Sequence, residues 1–383
     1  MKILITGGAG FIGSNLVNLL SNSNYELTVV DSLLKQVHGK SQRSFSYCQI
    51  LGKCKFVKSD INDISVFKRL LLDSEVLIHL ASQTGTGQSM YEKELYEKSN
   101  ILGTENIYKL LNENSNNIKK IILASSRSVY GEGEYEYLDG TSYTDSKLKR
   151  KKLELKEDFD FYCHKTNKKL RPVATKETSK LAPKSYYAET KLRQEHIIKK
   201  INRELGINCI ILRLQNVYGE GQSLINPYTG ILSIFSNRIL TNSNIEIFED
   251  GQQTRDFVHV SDVVSIIKKI IDDEVTHKLL IYNLGSGSST KIIDVVENLY
   301  KYFKKKRNYI VNGKHRKGDI RHNFSDISKI KNDYKFSISV DFKEGVNRYI
   351  DWVKNQDIVE SNYENTLNEL RKKGLLEWKK YFF

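Results

Sequence analysis

A tyrosine and a lysine four residues apart, Tyr187 and Lys191 in Ser185-Tyr-Tyr-Ala-Glu-Thr-Lys191, share one face of a helix about a turn apart. A phenol ordinarily loses its proton near a pH of about 10, and an ammonium beside it stabilises the phenolate and draws the pKa towards the working range. The pair is therefore a candidate general base for a sugar hydroxyl. In a chain with 22 tyrosines and 60 Lys+Arg the spacing also recurs on ordinary solvated helices, so its weight depends on context. Tyr186 points elsewhere on the same helix and is expected to pack or to line a pocket.

The context begins at the other end. Lys2 to Thr6 is an apolar run that leads into Gly7-Gly-Ala-Gly10-Phe-Ile-Gly13-Ser14, which reads as strand, glycine turn and helix start. Glycines at 7, 10 and 13 let the backbone turn tightly, approach a pyrophosphate and pack helix against strand, while the helix N-terminus presents unpaired N–H groups. The spacing is Gly-x-x-Gly-x-x-Gly. Ile12, Leu16, Leu19 and Leu20 continue it with helical periodicity, and Glu26 to Val30 is a second strand. Asp31 then stands where a carboxylate accepts the ribose 2'-hydroxyl of NAD and repels a 2'-phosphate, although the residue also reads as an ordinary strand-end turn. Asp60-Ile61, after the strand Lys55 to Lys58, is an adenine contact or a helix cap.

At 383 residues the chain can bury a large core and suggests two domains or one with insertions. No run of about 18 apolar residues occurs and no cleavable leader pattern precedes the glycine turn, so a cytoplasmic protein without a membrane partner is expected. Cys48, Cys54, Cys163 and Cys209 form no Cys-x-x-Cys pair, and Cys163-His164 lacks a second ligand pair, so neither disulfides nor a metal site is expected. A net charge of +14 suits anionic ligands. Its lysines are widely spread, and the densest cluster, Lys147 to Lys152, lacks the aromatic interleaving of a nucleic-acid module.

Apolar strands at 2–6, 26–31, 54–58, 75–80, 118–125 and 207–214 alternate with helical patterns, which predicts an α/β fold: a doubly wound parallel sheet of the Rossmann type. Residues 1–214 read as the NAD-binding domain with a polar insert at about 132–182, an inserted subdomain or a flap. Residues 215–383 read mainly as a smaller C-terminal α/β substrate lobe, with some elements returning to the Rossmann body. A strand is expected at Ile245 to Phe248, with helices near 261–272, 290–305 and from about 343. Ile292, Ile293, Val296 and Leu299 form a core stripe, and the tail Trp378 to Phe383 is expected to pack.

Taken in order, Gly7 to Ser14, Asp31, Asp60-Ile61, His79-Leu-Ala-Ser82, Ser125-Ser-Arg-Ser-Val-Tyr-Gly131, Tyr187 with Lys191, and Arg213-Leu-Gln-Asn-Val-Tyr-Gly219 resemble the extended short-chain dehydrogenase/reductase family, specifically its nucleotide-sugar epimerases and dehydratases. Gly251 to Val260, Asn283-Leu-Gly-Ser286 and Arg316-Lys-Gly-Asp319 extend the match to about Lys331. The resemblance implies a catalytic triad of Ser126, Tyr187 and Lys191. It also implies NAD contacts from Gly7, Gly10, Phe11, Ile12, Gly13, Asp31, Asp60, Ile61, Leu80, Ala81, Ser82, Asn100, Tyr187, Lys191 and Val217. For the nucleotide-diphosphate sugar it implies Gln83, Thr84, Ser126, Asn216, Arg255 and Arg316. Ser126 would bond the reacting sugar oxygen and Lys191 the nicotinamide ribose; read plainly, Ser126 ends a strand. Asn216, Arg255 and Arg316 suit pyrophosphate oxygens and equally suit ion pairs, and Asn100 orients a water or caps a helix turn.

The family's dehydratases carry Asp-Glu after the catalytic hydroxyl, and here Arg127-Ser128 stand in those places, which disfavours a 4,6-dehydratase. Gln36-Val-His-Gly39, Thr84-Gly-Thr-Gly-Gln-Ser-Met-Tyr91 and Pro227 to Phe235 are similar to the dTDP-L-rhamnose 4-epimerase and dTDP-6-deoxy-L-talose 4-dehydrogenase group, whose members often hold paired cysteines in the insert where this chain has none. The resemblance thus implies 4-epimerisation through a transient 4-keto sugar, with a 4-dehydrogenase or reductase as the alternative and a non-catalytic dinucleotide- or RNA-binding scaffold as a more distant one. It also implies a homodimer through a four-helix bundle formed by the helix of Tyr187 and the preceding one, roughly 90–112. Ile197, Ile198, Ile201 and Leu205 could serve that face or the monomer core.

Overall fold

Apolar residues run continuously along the central strands because both faces of a parallel sheet are covered. In the computed structural model, which describes residues 1–143, 148–150, 158–228, 230–274, 278–316, 318–357 and 363–377, the chain builds a seven-stranded sheet. Its strands are β1 (Lys2–Thr6), β2 (Glu26–Asp31), β3 (Lys55–Lys58), β4 (Val76–His79), β5 (Lys120–Ser126), β6 (Asn208–Leu214) and β7 (Leu279–Leu284). They lie in the order β7-β6-β5-β4-β1-β2-β3, and every pairing is parallel. The doubly wound Rossmann arrangement is therefore present. Its topological switch falls between β1 and β4, where ligands bind in such sheets.

Side chains alternate between two cores, as a period of two requires. Ile3, Ile5, Val29, Ile78 and Ile122 pack on one side with Leu16 and Val263. Leu4, Val30, Leu77 and Leu123 pack on the other with Phe67, Ile107, Ile198 and Ile201. Ile198 and Ile201 thus belong to the monomer core and are not free to form a dimer face; Ile197 and Leu205 are partly buried at its margin.

The helices that matter for the cleft are α1 (Phe11–Leu20), α2 (Gly103–Glu113), α3 (Tyr186–Leu205) and α4 (Val260–Asp272). A π-helical turn, Glu97–Leu102, feeds α2. A third cluster gathers Phe235, Ile245, Ile247, Val296, Leu299 and Tyr349 around the C-terminal helices. Ile292, Val296 and Leu299 of the expected stripe are buried and Ile293 partly so.

The polar insert is a small β-structure: Glu134–Tyr137 pairs antiparallel with Ser142–Tyr143 and Leu170–Val173, and Leu148–Arg150 with Phe161–Cys163. Tyr135, Phe161, Cys163 and Leu170 form its core. Arg321, 1 % exposed, ties it to the body, bonding Asp160 at 2.9 Å, Asp250 at 2.7 and 2.8 Å and Glu249 at 2.9 Å. Lys147, Lys151 and Lys152 of the basic run and the whole tail Trp378 to Phe383 lie outside the described residues. Among the described residues no helix is long and apolar enough to cross a membrane, no group of potential metal ligands occurs, and all four cysteines are unpaired.

Candidate active site

The glycine turn shows why each glycine stands where it does. Gly7 has φ +69°, and a Cβ there would lie 2.7 Å from the Ala81 nitrogen; at Gly13 it would lie 2.5 Å from the Gly8 Cα. Both are demanded by the protein's own packing. At Gly10, which precedes α1, a Cβ would meet only the Gly7 carbonyl, at 3.2 Å. What Gly10 keeps open is the space in front of the helix N-terminus, whose first N–H groups have no partners within the helix.

Asp31 ends β2 beside this turn. Its Oδ2 accepts from the Ala9 N–H at 3.1 Å and its Oδ1 from the Leu33 N–H at 2.9 Å, with His38 Nε2 at 3.8 Å. Burial pushes the carboxyl above its usual range, while the two N–H groups and His38 pull it down. A carboxylate pinned to the turn on the cavity wall, facing an open helix N-terminus, fits the ribose and diphosphate of NAD. Asp60 does not cap the following helix, whose N-cap is Asp63; its Oδ1 accepts from Asn62 N at 2.9 Å, and the residue lines the cavity. Ile61 is buried against Gly103, where a Cβ would lie 2.3 Å from Ile61 Cδ1, so a glycine at 103 lets α2 approach.

Ser126 ends β5 and Tyr187 opens α3, whose N-cap Ser185 accepts from Ala188 N. Ser126 Oγ accepts from the Ser128 N–H at 3.2 Å, and Ser126 and Tyr187 line the same cavity. Lys191, 3 % exposed, donates from Nζ to the Ala124 carbonyl at 2.9 Å. Burial draws its ammonium down to about 7, against the opposing pull of Glu195. For Tyr187 the balance differs from the sequence expectation. Burial raises the phenol, and the groups that pull it down are the Ser126 hydroxyl and then the charge of Arg127. Tyr187 lines the cavity. Tyr186 turns away, its ring under Lys93 Nζ at 5.3 Å.

Arg127 itself donates from Nε to Asn216 Oδ1 at 2.9 Å. Burial and the neighbouring Arg255 lower its guanidinium to about 9, which leaves it a cation at neutral pH. Arg255 donates to the backbone carbonyls of Thr254, Ile320 and Arg321 at 2.6–2.8 Å. Arg316 pairs with Asp319 at 2.9 Å. All three arginines and Asn216 face one cavity of about 1730 Å³, together with the glycine turn, Asp31, Asp60, Ile61, Leu80 to Thr84, Ser126, Lys191 and Val217.

Asn100 sits differently. It is fully buried and stands behind the cavity wall, not on it: its Oδ1 accepts from Gln83 N at 2.7 Å and Ser82 Oγ at 3.1 Å, and its Nδ2 donates to Gln83 O at 3.1 Å and Thr190 Oγ1 at 2.9 Å. Its amide is committed to bracing Ser82 and Gln83 against α3, so neither a held water nor a helix-turn cap describes it. Glu195 carried no signal in the sequence, and Arg213 stood there only at the head of the motif Arg213 to Gly219. Glu195 and Arg213, both at most 1 % exposed, pair at 2.9 and 2.8 Å, and Ser125 Oγ donates to Glu195 at 2.7 Å. This pair locks α3 to the ends of β5 and β6. Gln215 lines the cavity, and among the described residues its side-chain amide has no hydrogen-bond partner.

Residues 3–155 and 162–285 match the NAD dependent epimerase/dehydratase family. The chain belongs to that family. Its sequence is 34 % identical over 354 residues to a dTDP-L-rhamnose 4-epimerase from Burkholderia thailandensis, spanning 92 % of this chain and 94 % of the relative. Among solved structures, the UDP-glucuronic acid 4-epimerase of Bacillus cereus with UDP-glucuronic acid and NAD aligns at a TM-score of 0.75 and 25 % identity, covering 92 % of this chain and 99 % of that one. The UDP-glucose 4-epimerase of Thermotoga maritima with UDP-glucose aligns at 0.73 and 26 %, with the same coverage.

Proposed function

We propose that the protein is an NAD-dependent nucleotide-sugar 4-epimerase acting on a dTDP-6-deoxyhexose such as dTDP-L-rhamnose or a related substrate, in the cytoplasm, as a homodimer supplying precursors of cell-surface polysaccharide. The observation that carries this reading is that Ser126, Tyr187 and Lys191 share one cavity with the glycine turn, Asp31, Asn216, Arg255 and Arg316. NAD, when bound there, supplies a hydride acceptor that later returns the hydride. The protein's own work is to hold and move protons and to let the sugar turn. Tyr187 takes the proton of the C4 hydroxyl as hydride leaves C4, and Ser126 steadies that oxygen. Asn216, Arg255 and Arg316 hold the diphosphate while the keto-sugar rotates, and Tyr187 returns the proton after hydride arrives on the opposite face. Arg127 and Ser128 occupy the places where a dehydratase needs an acid and a base, which supports epimerisation over elimination of water.

The test is incubation with dTDP-L-rhamnose and other dTDP- and UDP-sugars, with and without added NAD, following absorbance at 340 nm and product stereochemistry by NMR. A C4 epimer without net NADH is the expected result. Stoichiometric NADH with a 4-keto product would make the protein a dehydrogenase.

A further inference from the structure

Gln36 and Gln88, from two of the segments behind the finer sequence resemblance, and Asn226, which precedes the third, lie far apart in the chain, and the structure brings their amides to one point. Gln36 Nε2 donates to Gln88 Oε1 at 3.1 Å, and Gln88 Nε2 returns a bond to Gln36 Oε1 at 3.0 Å. Gln36 Nε2 also reaches Asn226 Oδ1 at 3.3 Å. Gln36 lies in a one-turn helix, Lys35–His38, after β2, Gln88 in another, Thr86–Ser89, after β4, and Asn226 in the segment beyond β6. The three side chains therefore join the chain after β2 and the chain after β4 to its C-terminal half, and all three line the cavity.

The junction is built, not incidental. Gln88 is 3 % and Asn226 5 % exposed. Gln88 is held from behind by Gln83 Nε2 at 3.2 Å, by the Tyr96 hydroxyl at 3.2 Å, and by Glu92, which accepts from Gln88 Nε2 at 3.1 Å. Tyr96 in turn stacks edge-on to Tyr187 with ring centres 6.3 Å apart. A second row runs alongside: Ser223 Oγ donates to the Val37 carbonyl at 2.9 Å, and the Tyr91 and Tyr228 hydroxyls bond at 2.7 Å. Amides that satisfy each other reciprocally bridge the cleft without adding a charge that would compete with a diphosphate.

We propose that Gln36, Gln88 and Asn226 form an amide clasp that keeps NAD in the cleft between the two hydride transfers of one turnover. This rests on the epimerase reading above, in which the cofactor must stay while the sugar turns over. Gln36 is only half-buried, so it is the member that opens when NAD enters.

The test measures NAD release from the full-length, NAD-loaded protein, by dilution into an alcohol dehydrogenase and ethanol that convert released NAD to NADH at 340 nm. Gln36→Ala removes all three of the clasp's bonds, and Gln36→Met removes them while keeping length and volume, so that a folded variant exists if alanine unfolds this segment. Release from the folded variants at least fivefold faster than from the wild type is expected. Release less than fivefold faster overturns the clasp, and does so with particular clarity if KM for the sugar rises at the same time, since the amides would then be a sugar subsite. If the wild type itself discharges NADH stoichiometrically with a keto-sugar, the epimerase reading has failed, and that outcome is seen without any variant.

Discussion

A phenol at a cavity wall titrates by the contest between lost hydration and nearby charge. At Tyr187 burial pushes the pKa up, and Ser126 and Arg127 pull it down. Removing Arg127 withdraws a positive charge that favours the phenolate, so the acidic limb of the kcat/KM profile should move to higher pH in Arg127→Met and activity at pH 7 should fall; Arg127→Lys should move the limb back. A profile unchanged in Arg127→Met would show that the guanidinium serves only to hold Asn216. Tyr187→Phe removes the proton-transfer group outright, and a loss of about 10²–10⁴-fold in kcat is expected from general acid–base catalysis, with NAD still bound when assayed by extraction and enzymatic cycling. Activity within tenfold of wild type would move the base elsewhere.

The catalytic helix α3 carries its chemistry at its first two turns and its anchorage at the third. Glu195 lies one turn beyond Lys191 and meets Arg213 of β6 in a buried bidentate pair. Removing one partner of such a pair leaves an uncompensated buried charge, at a cost of about 3–5 kcal/mol. Glu195→Ala should therefore lower stability by that order in urea titration, and the double variant Glu195→Met with Arg213→Met should recover a substantial part. Equal destabilisation by the single and double changes would rule out the pair as the source. Elements of this kind divide cleanly by legibility. The six N-terminal strands could be read because each is a continuous apolar run that feeds two cores, and the glycine turn because Gly7 and Gly13 answer to local backbone contacts. The insert could not be read: its strands are two to four residues long and its core rests on Tyr135, Phe161, Cys163 and Leu170, scattered among charges. The Glu195–Arg213 pair and the Gln36–Gln88 bridge were hidden for another reason, since each joins segments whose proximity exists only after the sheet has formed. Ile198 and Ile201 carried a pattern that suits a dimer face and a core alike, and the sheet claimed them.

At the scale of the whole molecule, the cleft is closed by chain from the far end. Helix α5 (Tyr363–Lys372) buries Tyr363, Leu367 and Leu370, a spacing that forms one apolar face, and these residues line the cavity. Leu370 lies over Gly87, where a Cβ would stand 3.5 Å from its methyl groups, and the following strand, Leu376–Glu377, pairs with His315–Arg316. The helix is fastened by Glu364 to Arg238 at 2.7 Å and by Glu369 to the Tyr91 hydroxyl at 2.9 Å. Glu364 is 58 % exposed, and such pairs contribute little in water, so the apolar face supplies most of the hold. It follows that Leu370→Ala should loosen the wall beside Arg316 and Gly87, raising KM for the nucleotide sugar by more than it lowers kcat. Because Leu370→Ala removes none of the hydrogen bonds among Gln36, Gln88 and Asn226, NAD release from the same variant should stay within twofold of wild type. Steady-state kinetics with the NAD-release measurement separates the two ends of the cleft, and faster NAD release with an unchanged sugar KM would show that α5 guards the cofactor instead.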